Sequence, residues 1–112
     1  MIITPSGSVA GYRITETLGL VRGNTIRARH VGKDILAGFR NIVGGEVGEY
    51  TKMMAESREQ ALDRMAAEAE TMGADAVVNL RFATSYVMGS ASEILAYGDG
   101  VKLEKEPEVT GF

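Results

Sequence analysis

The chain has 112 residues, of which 45% are hydrophobic and 24% charged, and its 12 Lys+Arg against 15 Asp+Glu give a formal net charge of −3. This length and composition predict one small ordered globular domain. The absence of cysteine excludes disulfide scaffolds, zinc–thiolate sites, iron–sulfur clusters and cysteine nucleophiles. The mild acidity argues against a nucleic-acid partner, which needs a basic protein surface.

The sequence also bears on where the protein works. Residues 1–5 lack the basic start and the sustained apolar stretch of an export signal. No apolar run approaches the roughly 18 residues of a membrane-spanning helix. We therefore expect a cytoplasmic protein with no membrane partner.

Glycine, threonine and aliphatic residues dominate the first part of the chain and predict a long strand over residues 12–29. Gly19 and Gly23 interrupt this strand, and glycine inside a strand often marks a bulge or the close approach of another backbone. Over residues 34–43, apolar positions at helical spacing predict a short helix, which a glycine pair then ends.

Residues 46–72 are dense in Ala, Glu, Met, Arg and Gln, which are strong helix formers, and they predict one long helix. Small and apolar residues recur in this segment at intervals of three or four positions, which predicts the face that meets a core. The predicted stripe comprises Tyr50, Met53, Met54, Ser57, Ala61, Met65, Ala69 and Met72. Gly73 follows at the position where a left-handed residue ends a helix.

Residues 74–87 alternate between two sets of side chains, which predicts a strand with one buried face. The first set is Ala76, Val78, Leu80, Phe82, Thr84 and Tyr86, and the second is Val77, Asn79, Arg81, Ala83 and Ser85. A turn at 88–91 leads to a further strand over 93–103, which we expect to pair antiparallel with the strand before it. The charged segment 104–112 is predicted to be a frayed tail behind a single domain of residues 1–103.

The order of strand, short helix, long helix, strand and strand predicts an α+β domain with one long helix packed on a mainly antiparallel sheet. A single helix covers only one face of three strands. We expect the uncovered face to carry Val77, Arg81 and Ala83, with Ile94 or Ala96 as further members. This face is either wetted or shared between copies of the chain, and we favour sharing.

Short motifs in a fixed order run through nearly the whole chain, from about residue 1 to residue 103. They are Gly19-Leu20-Val21-Arg22-Gly23, Gly44-Gly45-Glu46 with Tyr50, Arg58, Ala61, Arg64-Met65, Gly73-Ala74-Asp75-Ala76-Val77, Arg81-Phe82, and Glu93 with Tyr97-Gly98. In these motifs the chain resembles the YbjQ-like family, which is named for heavy-metal binding and is otherwise of unknown function. The resemblance implies a β-α-β-β subunit that assembles into a pentameric ring.

One candidate site lies at the start of the long helix, where Gly44, Gly45 and Glu46 precede it. Free backbone N–H groups and the helix dipole favour an anion at this position. The alternative is a tight corner between two helices, in which Glu46 stabilises the positive helix end. Glu46 and Glu49 would repel a phosphate, and no lysine stands beside the glycines, so nucleotide binding is disfavoured.

A second candidate comprises charged residues on predicted strands. Arg22, Arg81 and Glu93 stand among apolar neighbours, where an unpaired charge is costly, and we expect Arg81 to pair with Glu93 or Glu46. Such pairs either fix strand register or cross a subunit boundary. The other interpretation is a ligand-binding cluster at that boundary. The full candidate ligand-binding set is Arg22, Gly44, Gly45, Glu46, Tyr50, Arg81 and Glu93.

Metal and catalytic chemistry find little support in the residue pattern. The oxygen and nitrogen donors, which include His30, do not show the HxH or HExxH spacing of metal sites. Soft metals prefer thiolate, which the sequence lacks. The methionines of the long helix recur at the spacing of residues that face a core, so they are expected to pack there and not to bind a metal. We therefore predict no metal site and no cofactor. Acid–base catalysis by Glu46, Tyr50 and Arg81 across a boundary is a less favoured alternative.

The sequence predicts a homo-oligomeric binding or scaffolding protein whose partners are copies of itself and an unspecified small ligand, and the family resemblance implies that the oligomer is a pentamer. The alternative is a metal-ion-binding protein or an enzyme with its site at the subunit interface.

Overall fold

The computed structural model describes residues 1–28, 48–88 and 91–107. Strand β1 is Ile2–Ile3, β2 is Tyr12–Ala28, helix α1 is Gly48–Thr71, β3 is Ala76–Met88 and β4 is Ala91–Lys105. The long helix and the three long strands therefore lie where the sequence predicts them, within a few residues at each end. The short helix predicted over 34–43 and the glycine pair behind it lie outside the described residues.

The strands form one four-stranded sheet in the order β1-β3-β4-β2. Strand β4 pairs antiparallel with β2 and with β3, so the predicted hairpin of the last two strands is confirmed. Strand β1 adds a short parallel pairing to β3, with Ile2 opposite Ala76, and makes the sheet one strand wider than predicted. The α+β fold with a long helix on a mostly antiparallel sheet is confirmed.

Helix α1 buries one stripe of its surface, mainly against β2. The fully buried helix residues are Ser57, Ala61, Met65 and Ala69, at intervals of four positions. Gly73 has a φ of +80°, which confirms the predicted left-handed helix end. Within the described ranges, no helix is both long enough and apolar enough to cross a membrane.

A bulge in β3 overturns the single alternation predicted for this strand. Asn79 has a left-handed φ of +56°, which asparagine tolerates better than most residues. The pairing register shifts between Val78 and Arg81, so the residues before and after the bulge change faces. As a result, Val77 and Leu80 both pack in the cluster beneath α1, although the alternation predicts them on opposite faces.

The uncovered face of the sheet differs from the predicted one at three positions. Val77, Ile94 and Ala96 are buried beneath α1 instead of standing on the bare face. Their placement follows from the register, because Ala96 lies opposite Gly23 on the strand that the helix covers.

We use the term open face for the side of the sheet that faces away from α1. The central part of this face consists of Arg22, Asn24 and Ile26 on β2, Glu93, Leu95 and Tyr97 on β4, and Arg81, Ala83 and Ser85 on β3. At one end, Val9 of the N-terminal loop packs against Ala76, Val78 and Val101. The loop therefore covers only that end of the open face.

Candidate functional site

A cleft of about 390 Å³ lies where the edge of β2 meets β4 and α1. Its walls are Arg22, Gly23, Asn24, Glu68, Glu93 and Leu95. The volume falls in the range of small-molecule sites, which is about 300–1,000 Å³. We call this region the Arg22–Glu93 cleft.

The position of the helix beside the cleft depends on Gly23. A side chain at this position would collide with the helix backbone at Ala61 and Met65, and its Cβ would stand 2.7 Å from the carbonyl carbon of Arg64. The helix backbone therefore rests directly on the strand. This close contact confirms the sequence prediction for Gly23 and brings the next helical turn to the edge of β2.

Two helix side chains bond to the outer edge of β2. The Arg22 backbone N–H donates to Glu68 Oε2 at 3.2 Å, and Arg64 Nη1 donates to the Asn24 carbonyl oxygen at 2.6 Å. Both backbone groups point away from β4 and would otherwise be free edge groups of the sheet. Glu68 therefore stands in the wall of the cleft with one carboxylate oxygen already engaged.

On the open face, the cleft combines an amide and a carboxylate from neighbouring strands. Asn24 Nδ2 donates to Glu93 Oε2 at 2.8 Å. Leu95 lies directly opposite Asn24 in the register and supplies an apolar part of the cleft wall. The Asn24–Glu93 pair is therefore fixed in place before any ligand arrives.

Arg22 differs from the other strand arginines of the described residues, because its guanidinium has no hydrogen-bond or ion-pair partner among them. The others donate as follows: Arg13 to Glu104 Oε2 at 2.6 Å, Arg27 to Ser57 Oγ at 2.9 Å and Gln60 Oε1 at 2.8 Å, and Arg81 to Pro5 O at 3.0 Å and Leu80 O at 2.7 Å. The cleft therefore presents a guanidinium that forms no hydrogen bond or ion pair with the described part of the chain, although two glutamates line the same cleft.

The structure brings together two of the residues that the sequence singled out, Arg22 and Glu93, in one cleft. It does not bring Arg81 to Glu93. The register places Glu93 opposite Ser85, four residues along β3 from Arg81, which is a separation of about 13 Å along the strand. The prediction of an Arg81–Glu93 pair within one subunit is therefore wrong.

The remaining predicted site residues are not placed by the structure. Gly44, Gly45 and Glu46 lie outside the described residues, and Tyr50 belongs to α1 without a described side chain. The sequence analysis in turn missed Asn24, which shares a face of β2 with Arg22. Strand alternation from Arg22 would have found Asn24, whereas Glu68 becomes visible only when the helix is docked.

The donor groups around the cleft do not match a soft-metal site. No group of three or more His, Cys, Asp or Glu side chains comes together in residues 1–28, 48–88 and 91–107. The two cleft carboxylates, Glu68 and Glu93, each accept a hydrogen bond already and stand beside the charge of Arg22. Thiolate, the ligand that soft metals prefer, is absent from the whole sequence.

Comparison with known proteins relates the chain to a family without an assigned activity. The model of the YbjQ-like family, described as "Putative heavy-metal-binding", matches residues 1–104. A UPF0145 protein of Methanosarcina acetivorans is 59% identical over 103 residues, which are 92% of this chain and 97% of that protein. A UPF0145 protein of Dehalococcoides mccartyi is 58% identical over 93% of this chain and 100% of its own length.

One solved structure supports the fold at lower sequence similarity. A protein of unknown function from Pediococcus pentosaceus, assigned to the DUF74 family, matches with a TM-score of 0.63 and 18% identity. The match covers 93% of this chain and 98% of that chain. At this identity, the likeness concerns the fold alone.

Proposed function

As this chain belongs to the YbjQ-like family, we propose that it is a subunit of a homopentameric ring and binds a small molecule in the Arg22–Glu93 cleft. The number of subunits comes from the family resemblance. The tendency to self-associate and the chemistry of the cleft have support in the chain itself, and the two are argued separately below.

The first support for self-association is the poor compactness of the single subunit. Its Cα radius of gyration is 18.9 Å and its principal extents are 66 × 31 × 16 Å. A compact domain of this length has a radius of gyration of about 13 Å. The described core is built largely from small residues, and Met65 is the largest of its fully buried side chains. A thin, long sheet of this kind gains core when copies pack together.

The second support is the position of the exposed apolar side chains. Leu20 and Ile26 stand on the open face of β2, with 54% and 59% of their surface exposed, and Phe82 and Tyr86 stand on β3 with 43% and 76% exposed. The register places Phe82 opposite Ala96, hence on the face that carries α1. The two patches therefore lie on different faces and at different edges. An interface that joins two unlike patches is heterologous, and a heterologous interface closes into a ring when its rotation allows.

The observation that carries the binding function is the guanidinium of Arg22, which has no partner among residues 1–28, 48–88 and 91–107 of the subunit, beside the hydrogen-bonded Asn24–Glu93 pair. A free charged fork next to a preformed acceptor pair, in a cleft of small-molecule size, is typical of a ligand site. Heavy-metal binding, which the family description names, is the weaker candidate, because the cleft offers oxygen donors beside a cation and no thiolate.

Light scattering on the native protein tests the assembly. The subunit mass is 12.0 kDa, so a homopentamer is expected at about 60 kDa. A mass of a single subunit at high protein concentration would contradict the assembly and leave the cleft as an open monomer site.

A further inference from the structure

We infer that the Arg22–Glu93 cleft takes a small zwitterion, namely an amino carboxylate whose carboxylate meets Arg22 and whose ammonium group meets Glu93. This inference rests on the proposed binding function and gives it a ligand class. It follows from three features of the cleft: the signs of its charges, its free hydrogen-bonding groups and the spacing of its polar residues along β2.

The cleft presents charges of both signs, which favours a ligand that carries both a negative and a positive group. The cleft holds one arginine and two glutamates, Glu68 and Glu93, so its fixed groups sum to one negative charge. A simple anion would meet Arg22 but face a net negative surrounding, and a simple cation would leave Arg22 without a counter-charge. A zwitterion neutralises Arg22 and one carboxylate at the same time.

The anionic end of the ligand is set by Arg22. A guanidinium carries five N–H donors in a planar fork and binds a carboxylate through two parallel hydrogen bonds. No oxygen of the described residues accepts a hydrogen bond from the Arg22 guanidinium, whereas the guanidinium groups of Arg13, Arg27 and Arg81 donate to other groups of the protein. Arg22 is therefore the strand arginine whose guanidinium can bind a ligand carboxylate without breaking a hydrogen bond within the described part of the chain.

The cationic end of the ligand is set by Glu93 and Asn24. A carboxylate offers about four acceptor positions, and the Asn24 amide uses one of them on Glu93. Because the amide nitrogen of Asn24 donates to Glu93, its Oδ1 remains as a second acceptor close by. An ammonium group, which has three donors and no acceptor, matches this pair of acceptors.

The spacing of the two ends indicates a short chain between the charges. Arg22 and Asn24 are two residues apart on the same face of β2, which is about 6.6 Å along the strand. Leu95, opposite Asn24, lines the same cleft. A ligand with a few methylene groups between its ammonium and carboxylate groups covers this distance and contacts the leucine.

Calorimetric titration of the native protein with four probes tests the inference. γ-Aminobutyrate is the zwitterion of suitable length, glycine is its short analogue, and butyrate and butylamine are its two halves. We expect γ-aminobutyrate to bind at least about tenfold more tightly than butyrate or butylamine, because each half loses one charge-assisted contact. Glycine is expected to bind more weakly than γ-aminobutyrate because it cannot reach both ends.

Two variants and a matched control assign the ends of the ligand. Arg22→Gln is expected to reduce the affinity for γ-aminobutyrate to that for butylamine, and Glu93→Gln to reduce it to that for butyrate. Arg58→Gln removes an exposed arginine on the outer side of α1 and is expected to leave binding unchanged. Light scattering on each variant shows whether the ring is retained.

The outcomes separate this inference from the function on which it rests. Equal binding of butyrate and γ-aminobutyrate, lost in Arg22→Gln, would overturn the zwitterion and keep a binding cleft for anions. Absence of binding for all four probes, with the mass of the ring unchanged, would overturn the amino carboxylate as the ligand class and leave the ring assembly standing. A loss of mass in Arg22→Gln without probe binding would mean that Arg22 pairs with another subunit, which also overturns the inference.

Discussion

Gly23 is the residue on which the contact between helix and sheet depends. A methyl group at Gly100 would require only a small adjustment of its neighbours, the nearest of which is 3.3 Å away, but at Gly23 the neighbouring atoms belong to the helix backbone. Backbone atoms cannot rotate away as a flexible side chain does, so any side chain here must move the whole helix. The same movement would carry Glu68 away from Arg22.

We therefore expect Gly23→Ala to lower the free energy of unfolding by about 3 kcal/mol, at the upper end of the usual cost of overpacking. Chemical denaturation measures this loss. Gly73→Ala is the matched control, because its Cβ would meet only the flexible end of Lys102 at 3.6 Å and the cost is the left-handed φ alone, about 1 kcal/mol. An equal loss in both variants would argue against close backbone contact at Gly23.

At the scale of elements, α1 protects an edge of the sheet as well as covering one of its faces. Arg64 and Glu68 are four residues apart on the helix and bond to the outward carbonyl of Asn24 and the outward N–H of Arg22. Side chains that occupy these groups oppose the addition of a foreign strand at this point. The helix and the edge of β2 are therefore expected to hold together as one unit.

Replacement of Arg64 by methionine removes the bond to the Asn24 carbonyl and keeps the apolar part of the side chain. Because the bond is exposed to solvent, we expect a loss of about 1 kcal/mol in the free energy of unfolding. Arg58→Met on the same helix has no such bond to lose and is expected to stay within about 0.5 kcal/mol of the native protein. Thermal unfolding of both variants checks the difference, and equal melting temperatures would exclude a stabilising edge contact.

At the scale of the whole molecule, the two apolar patches determine what kind of assembly is available. A ring requires that the β2 patch of one subunit, Leu20 and Ile26, meets the β3 patch of the next, Phe82 and Tyr86. Arg22 and Asn24 lie between Leu20 and Ile26 on the same face of β2, so in such a ring the Arg22–Glu93 cleft lies at the boundary between two subunits. An isologous dimer would instead pair each patch with its own copy. The two arrangements respond differently when one patch is changed at a time.

Ile26→Asp and Phe82→Asp each place a charge on one exposed patch, and we expect each to reduce the mass in solution to that of a single subunit while the fold is retained. A mixture of the two variants still holds one intact patch of each kind, so it is expected to form a dimer with one copy of each. Light scattering measures the masses. A single variant that still dimerises alone would favour the isologous arrangement. Val77→Asp, by contrast, charges the core beneath α1 and is expected to unfold the subunit.

The sequence by itself determined the elements with strong local signals. Three local signals predict α1 and its buried face: a long run of helix formers, a stripe of small residues, and a glycine after the last turn of the helix. These signals depend only on residues that are close together in the chain. Alternating β-branched and aromatic residues likewise predict three long strands. The choice of Arg22 and Glu93 as charges in need of partners also came from the sequence, since unpaired charges on strands are costly.

Only the tertiary structure decided which residues face each other. The two residues of β1 are too few to carry a periodic signal and become a strand only by pairing with β3. The bulge at Asn79 reverses the alternation of β3, so Val77 before it and Leu80 after it both lie beneath α1. The register places Glu93 opposite Ser85, so the Arg81–Glu93 pair does not form within the subunit. Asn24 and Glu68 join the cleft because register and helix docking, which are long-range contacts, set their positions.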